Sequence, residues 1–412
     1  MKNQPLIGNV VVGQSGGPTA AINATLAGVL RGARRGVENG VIGKIFGMRN
    51  GVEGLLARRL VDLTEEAGNA EWLRLLEQTP AAALGSCRRR LPDPKKDTAV
   101  YEELLSIFKE NDIRYFFYIG GNDSMDTVHR LSTYVKKSGW EMRVMGVPKT
   151  IDNDLFGTDH TPGFGSAAKY IATTMSEILC DTAVYTVPAV TIVEIMGRDA
   201  GWLTASAALA GVNGAAPDLV YLPEVSFSME QFYADVEKAL ARHPNVVVAV
   251  SEGIRFENGA YVGEGMQSGA VDVFGHKYLS GTAKVLEQAV KAKFGCKVRS
   301  VELNLPQRCA GHLLSATDIT ESVRIGRDAV TRAIGGKTAS VMAFVRGEGA
   351  YRVTTRAIRV SKVANQVRSV PRAWINAEGN GVTEECIDYL LPLIQGEVKC
   401  KYESGIPAHL VI

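Results

Sequence analysis

Short apolar runs rich in β-branched and aromatic residues recur along this chain. Each opens into a loop of Gly, Asp, Asn or Ser and then into a stretch with helical periodicity. That pattern is restrictive. A run that is apolar without alternation is buried on both faces, and such strands, alternating with helices, build a parallel sheet covered on both sides. Leu6–Val12 reads as the first strand, with Ala20–Arg31 as the helix after it. Tyr115–Ile119 followed by Ser124–Lys137 repeats the unit, and Arg143–Val147 is the next strand. A second series follows at Val190–Ile195, Asp218–Leu222, Asn245–Val250 and Lys297–Leu303, with helices between. Ser228, placed before Gln231 at capping-box spacing, marks one helix start.

A chain of 412 residues is longer than one core usually sustains. The two series therefore predict an α/β protein of two Rossmann-like, doubly wound domains with mainly parallel sheets. Hydrophobic residues at 46% and charged residues at 22% supply an ordinary globular core. With 46 basic and 44 acidic residues the net charge is only +2, which gives no general field for nucleic acid or membrane. An anionic ligand must then be held by local geometry. No run approaches the ~20 apolar residues of a membrane span, and the start, Met1-Lys2-Asn3-Gln4-Pro5, has no signal-peptide pattern. Six scattered cysteines contain no C-x-x-C pair, so a cytoplasmic chain with reduced thiols is expected.

In doubly wound sheets, ligands lie off the carboxyl ends of the strands. The polar motifs fall there. Gly13-Gln14-Ser15-Gly16-Gly17-Pro18-Thr19 follows the first strand, where adjacent glycines and a helix N-terminus can face an anion; a tight turn without a ligand fits the same residues. Gly120-Gly121-Asn122-Asp123-Ser124 again joins strand to helix, offering close approach to a phosphate and oxygens suited to Mg²⁺, or simply helix capping. Pro148-Lys149-Thr150-Ile151-Asp152-Asn153-Asp154 places two carboxylates beside a lysine. One carboxylate can take the proton of an attacking hydroxyl while the other helps hold Mg²⁺, and the lysine can neutralise a phosphoryl group in flight. An Asx-rich surface turn is the alternative.

In the second series, Glu194-Ile195-Met196-Gly197-Arg198-Asp199 ends a strand with exposed backbone and a planar guanidinium fork. Glu252 follows another strand, and Arg299 and Arg308 can clamp a sugar phosphate, although each alone reads as a solvated charge. The histidines (His129, His160, His243, His276, His312, His409) show no metal-ligand spacing, and His129 and His243 fall in expected helices. Direct transfer to a hydroxyl suits this inventory better than a covalent intermediate.

Ser15-Gly16-Gly17 with Asn23, Leu84-Gly85-Ser86-Cys87-Arg88, Gly120–Ser124, Pro148–Asp154, Met196-Gly197-Arg198, Glu252 and Gln307-Arg308 resemble the phosphofructokinase family in order and spacing, over about Leu6 to Ala339. The resemblance implies a cytoplasmic glycolytic phosphotransferase acting on fructose 6-phosphate, with Mg²⁺, as a homodimer or other homo-oligomer. Asp152 would take the proton from the sugar 1-hydroxyl. Gly16 and Arg88 would hold the phosphoryl donor. Thr150, Met196, Gly197, Arg198, Glu252, Arg299 and Arg308 would bind the sugar phosphate, and Asp154 and Asn122 would lie near Mg²⁺. It also divides the chain into a donor domain, 1–165 plus about 308–340, and a sugar-phosphate domain, 166–307 plus about 341–412.

ATP-using members usually carry glycine at the positions of Asp123 and Lys149, whereas pyrophosphate-using members are similar to this chain at both. A carboxylate at Asp123 would repel the α-phosphate of ATP, where pyrophosphate has no group. Pyrophosphate is therefore the expected donor. Three positions depart from common family patterns: Asn122 replaces a metal-site aspartate, Leu305 stands where many bacterial members have histidine, and Ala189 where allosteric ATP-using members place an arginine. An ATP-dependent phosphofructokinase and a non-catalytic sugar-phosphate-binding subunit are the alternatives. A dinucleotide dehydrogenase ranks below both, because Gly13-x-x-Gly16-Gly17 lacks G-x-G-x-x-G spacing. The chain beyond about Tyr351 has no assigned function at this level.

Overall fold

The structure, a computed structural model, describes residues 4–264, 281–364, 366–410 and 412. Met1–Asn3 and His276 lie outside the described residues. Continuous apolar runs become buried strands. In chain order these are β1 (Gly8–Gln14), β2 (Ile42–Met48), β3 (Leu60–Asp62), β4 (Ile113–Gly120) and β5 (Arg143–Pro148). The second series gives β6 (Ala189–Ile195), β7 (Leu219–Tyr221), β8 (Asn245–Ser251) and β9 (Lys297–Glu302). Two further strands, β10 (Ser340–Arg346) and β11 (Val353–Arg359), come after them.

The larger main sheet runs β11-β10-β5-β4-β1-β2-β3 and the smaller β7-β8-β6-β9, with a two-stranded antiparallel ribbon, Tyr402–Glu403 and Ile406–Pro407, near the C-terminus. Pairing within the two main sheets is parallel apart from β2–β3 and β10–β11 at the edges of the first. Alternate residues of each strand enter different cores. Val10, Val12 and Phe117 pack under helices Ile22–Glu38 and Ala316–Ile334, while Val11, Phe116 and Tyr118 face helices Ala99–Glu110 and Asn122–Ser138. The second sheet divides likewise, with Val193 and Val247 on one side and Ile192 and Val248 on the other. The two-domain, mainly parallel α/β fold is the one expected.

The strand β10 corrects the expected domain boundary. Placing the chain from about 341 with the second series fails for Ser340–Arg346 and Val353–Arg359, which extend the first sheet. Ser340 pairs in parallel with Met145, and β11 closes that edge antiparallel. A strand as apolar as Ser-Val-Met-Ala-Phe-Val needs cover on both faces; pairing at the open edge of β5 sets Met342 and Phe344 into one core of that sheet and Val341 into the other. Beyond it the segment containing Val370, Ile375, Tyr389, Leu390 and Leu393 does pack with the second core.

Smaller differences have local causes. Strand β1 starts and ends two residues later than read, and its helix continues past Arg31 to Glu38. Strand β2 is hidden in sequence because Gly43, Lys44 and Gly47 interrupt its apolar run. His243 lies beyond the end of helix Met229–Leu240, with Nε2 2.8 Å from the Asp218 carboxylate. The Ser228 cap is present, its hydroxyl accepting from the Gln231 N–H at 3.3 Å. Helices Ile22–Glu38 and Ala316–Ile334 touch through glycines: a Cβ on Gly28 would lie 2.2 Å from the Val323 carbonyl oxygen. No helix among the described residues is long and apolar enough to cross a membrane.

Candidate active site

Strand order reverses direction between β1 and β4, so the loops leaving their carboxyl ends part to opposite sides and open a crevice. Loops from β1, β4 and β5 meet loops from β6 and β8 around a cleft of about 860 Å³. Its walls include Gly16, Arg88, Asn122, Asp123, Lys149, Thr150, Asp152, Asp154, Met196, Arg198, Glu252 and Arg308. Residues as distant in sequence as Gly16, Arg308 and Val367 thus share one cavity.

On the first-sheet side, Gly16 adopts φ +79° and donates its N–H to the Cys87 carbonyl at 3.1 Å, while the Ser86 hydroxyl donates to the Gly16 carbonyl at 2.6 Å. These bonds bring the Leu84–Arg88 segment against the glycine loop and Arg88 into the cleft. Gln14 and Asn23 support them from below: the Gln14 amide donates to Asn23 Oδ1 at 2.8 Å and accepts the Leu84 N–H at 2.9 Å. Gly120 is held by sterics, since a Cβ there would sit 2.0 Å from Ser124 Oγ. Asn122 and Asp123 form the first turn of helix Asn122–Ser138, where the helix dipole favours negative charge. Asn122 Oδ1 is buried with no hydrogen-bond partner among the described residues.

Lys149 follows β5 and is 3% exposed, with Nζ donating to the Gly17 carbonyl at 2.5 Å. Burial pushes its ammonium down to about 8; Asp152 raises it, and the nearby cations Arg88 and Arg308 lower it further. Burial also holds the Asp152 carboxyl above the usual range, against a hydrogen bond from Thr150 and the charges of Lys149 and Arg198. Asp154 is pushed up to about 7 by burial and then by Asp152. The Arg308 guanidinium is lowered by burial and by Arg88. Arg88 and Arg308 thus lie close enough to lower the pKa of Lys149, and Arg88 that of Arg308; such mutual repulsion of cations is relieved by a polyanionic ligand.

The second-sheet side is built on β6 and β8. Met196 donates its N–H to Gln307 Oε1 at 3.1 Å, and Gly197, at φ +143°, donates to Glu252 Oε1 at 3.3 Å. Gly197 therefore lies just behind the wall formed by its neighbours and orients Glu252. Burial pushes that carboxyl up to about 8, the Gly197 bond pulling the other way. Gly253 has no room for a Cβ, which would lie 2.0 Å from the Arg198 carbonyl oxygen.

Arg299 does not join the cleft. It sits mid-strand on β9, at the edge of the second sheet, opposite Thr191. A side chain there cannot reach the carboxyl ends, and its guanidinium instead lies 5.6 Å from the Tyr185 ring and 3.8 Å from the Asp181 carboxylate. Other residues of the cleft went unnoticed in the sequence. Arg90 was signalled by the run Arg88-Arg89-Arg90, and Glu302 by its place at the end of β9. Val367 had no signal at all, because it arrives from the C-terminal segment.

The arrangement places a carboxylate, Asp152, between a cationic pocket and a pocket lined by Arg198 and Glu252. It suits in-line phosphoryl transfer: cations stabilise the moving charge, and a carboxylate accepts the proton of the attacking hydroxyl. Among the described residues no group of three or more His, Cys, Asp or Glu side chains converges as a metal cage.

Comparison with known proteins agrees with this geometry. The family model described as Phosphofructokinase matches residues 9–333. A curated protein of Halomonas elongata, named pyrophosphate–fructose 6-phosphate 1-phosphotransferase, is 41% identical over 97% of this chain and 94% of its own length. Crystal structures named as pyrophosphate-dependent phosphofructokinases are similarly close. That from Nitrosospira multiformis aligns with TM-score 0.87 and 35% identity, covering 98% of this chain and 96% of the other. That from Marinobacter aquaeolei aligns with TM-score 0.86 and 37% identity, covering 98% and 95%. With its motifs gathered in one cleft and these matches along nearly its whole length, the chain belongs to the phosphofructokinase family.

Proposed function

We propose that this chain transfers a phosphoryl group from pyrophosphate to the 1-hydroxyl of fructose 6-phosphate, giving fructose 1,6-bisphosphate and phosphate, and that it runs in both directions. One observation carries the choice of donor: Asp123 and Lys149 line the same pocket as Gly16 and Arg88. A carboxylate there opposes the additional phosphate of a nucleotide, whereas the lysine adds a cation where two phosphates end. The names of the relatives point the same way.

Asp152 accepts the proton of the 1-hydroxyl as its oxygen attacks phosphorus, and Lys149 and Arg88 take up the charge on the transferred group. Thr150, Met196, Arg198, Glu252 and Arg308 hold the sugar phosphate, with Gly197 orienting Glu252 from behind. The residues present fit Mg²⁺ bound mainly through the donor. Among the described residues Asn122 Oδ1 lacks a hydrogen-bond partner and Asp154 adds a carboxylate, too few oxygens for an all-protein site, so phosphate and water would complete the shell. When bound, the ion neutralises donor charge. A cytoplasmic, glycolytic role belongs to the same reading.

Self-association as a homodimer or other homo-oligomer is part of this proposal. Val184 and Val187, 71% and 55% exposed, flank Tyr185 and the misplaced Arg299. Arg299 can serve a sugar phosphate only in the cleft of a second copy. Sedimentation of the purified chain tests this, a monomer at assay concentration being the contrary result. For the reaction itself, purified chain is given fructose 6-phosphate with pyrophosphate or with ATP. Formation of fructose 1,6-bisphosphate with pyrophosphate is expected; turnover with ATP alone overturns the donor assignment.

A further inference from the structure

The C-terminal segment, unassigned from sequence, touches the loop that carries Asp152. Asn153 stands between the two carboxylates with φ +54° and no solvent exposure. Such left-handed backbone costs a non-glycine residue energy, so surrounding contacts must hold it. Its side chain supplies one: Asn153 Nδ2 donates to the Tyr389 hydroxyl at 3.0 Å. That hydroxyl in turn donates to the Asp159 carbonyl at 2.7 Å and receives Arg368 Nη2 at 3.1 Å.

Arg368 adds two more ties. Its backbone N–H donates to the Asp154 carbonyl at 2.8 Å, next to an antiparallel bridge between Leu155 and Val367, and its Nη1 donates to the Asp159 carbonyl. The Tyr389 ring is wedged between Trp202 and Trp374, with centroids 5.2 and 5.1 Å away. Trp202 begins the helix just after Met196-Gly197-Arg198-Asp199. One phenol therefore spans the two halves of the site, its hydroxyl on the Asp152 loop and its ring on the element behind Arg198.

We propose that Tyr389 is a positioning residue for phosphoryl transfer, its hydroxyl holding Asn153 in the left-handed conformation that aims Asp152 into the cleft. The inference rests on the activity proposed above. Tyr389 and Asn153 touch no substrate; they set where the base stands, and a displacement of about 1 Å at a reacting group is enough to slow chemistry by up to ~100-fold.

The test uses the full chain and the variants Tyr389→Phe, Asn153→Gly and their combination. Phenylalanine keeps the ring between the tryptophans and removes only the hydroxyl. Tyr389→Phe is expected to lower kcat roughly ten- to a hundredfold with KM for fructose 6-phosphate changed less than about twofold. Because Tyr389 acts through Asn153, adding Tyr389→Phe to Asn153→Gly costs no further activity. Hydrogen exchange supplies a readout that needs no turnover: amides of 150–155 exchange faster in Tyr389→Phe. Unchanged kcat, a rise in KM alone, additive losses in the double variant, or unaltered exchange each overturn the proposal. An inactive wild-type chain fails the activity reading instead, and the exchange measurement then decides this one.

Discussion

The Lys149 ammonium donates to the Gly17 carbonyl at 2.5 Å, tying together loops 132 positions apart. Strands β1 and β5 flank β4, so the bond closes over the carboxyl end of three adjacent strands. It places an ammonium lowered to about 8 beside the glycines of the donor pocket.

Lys149 sets an alkaline limit on activity. The free protein loses this proton near pH 8, while the raised carboxyls of Asp152, of Asp154 at about 7 and of Glu252 at about 8 take up protons on the acid side, so kcat/KM plotted against pH should be a narrow bell. Bound polyanion favours the charged lysine, so the alkaline limb of kcat lies higher than that of kcat/KM. In Lys149→Arg, whose guanidinium stays charged, the alkaline limb near 8 disappears even where the rate is reduced. Initial-rate profiles of both proteins check this.

Asp154 should cost the fold stability at neutral pH. Its folded carboxyl titrates near 7 against an ordinary 3.8, so the folded state binds a proton that the unfolded state has released. Stability therefore falls as pH rises through this window and the full cost stands above it. Asp154→Asn is expected to raise Tm by a few degrees at about pH 8, to change it little at about pH 4, and to impair activity. Thermal melts at the two pH values decide it.

Donor choice is reversible in principle. Asp123→Gly with Lys149→Gly should raise kcat/KM for ATP about tenfold, since a repelled phosphate is admitted, and lower pyrophosphate turnover by about a hundredfold. Parallel steady-state assays with each donor measure both numbers. Unchanged ATP turnover would count against charge at Asp123 as the excluding element.

His160 predicts a second decline of stability with rising pH, of the same sign as that of Asp154 but from a cation held by its partners. It is buried between Asp159, 2.8 Å from Nδ1, and Glu321, 2.7 Å from Nε2. Burial alone would lower its pKa, but the two carboxylates outweigh that and raise it above the ordinary 6.5. Its contribution is then fully present below 6.5 and fades as pH rises through the raised value. Tm of the wild-type chain should decline over that range, and His160→Gln should be less stable below 6.5 and lack most of the decline.

The local chemistry was written in the chain itself. Unbroken apolar runs require strands buried on both faces, and glycines or Asx residues after them require sharp turns into helices, so the parallel sheets and the motif-bearing loops were legible. Gly16, Asp123, Lys149, Asp152 and Arg198 stand at strand ends for that reason, and the cleft gathers them. Which strands become neighbours was not legible, because pairing across a sheet depends on unsatisfied edges rather than on sequence order. That is why β10 and β11 joined the first sheet; Arg299 already fell inside the strand read at Lys297–Leu303, and what the fold added is its place on an edge strand beside Tyr185, away from the cleft. Tyr389 and Arg368 are further cases: an isolated tyrosine or arginine carries no periodic signal, and only the packed chain brings them against Asn153 and Asp154. Local propensity follows from neighbours along the chain, whereas burial, long-range hydrogen bonds and the shifted pKa values of Lys149 and Asp154 exist only once distant segments exclude water together.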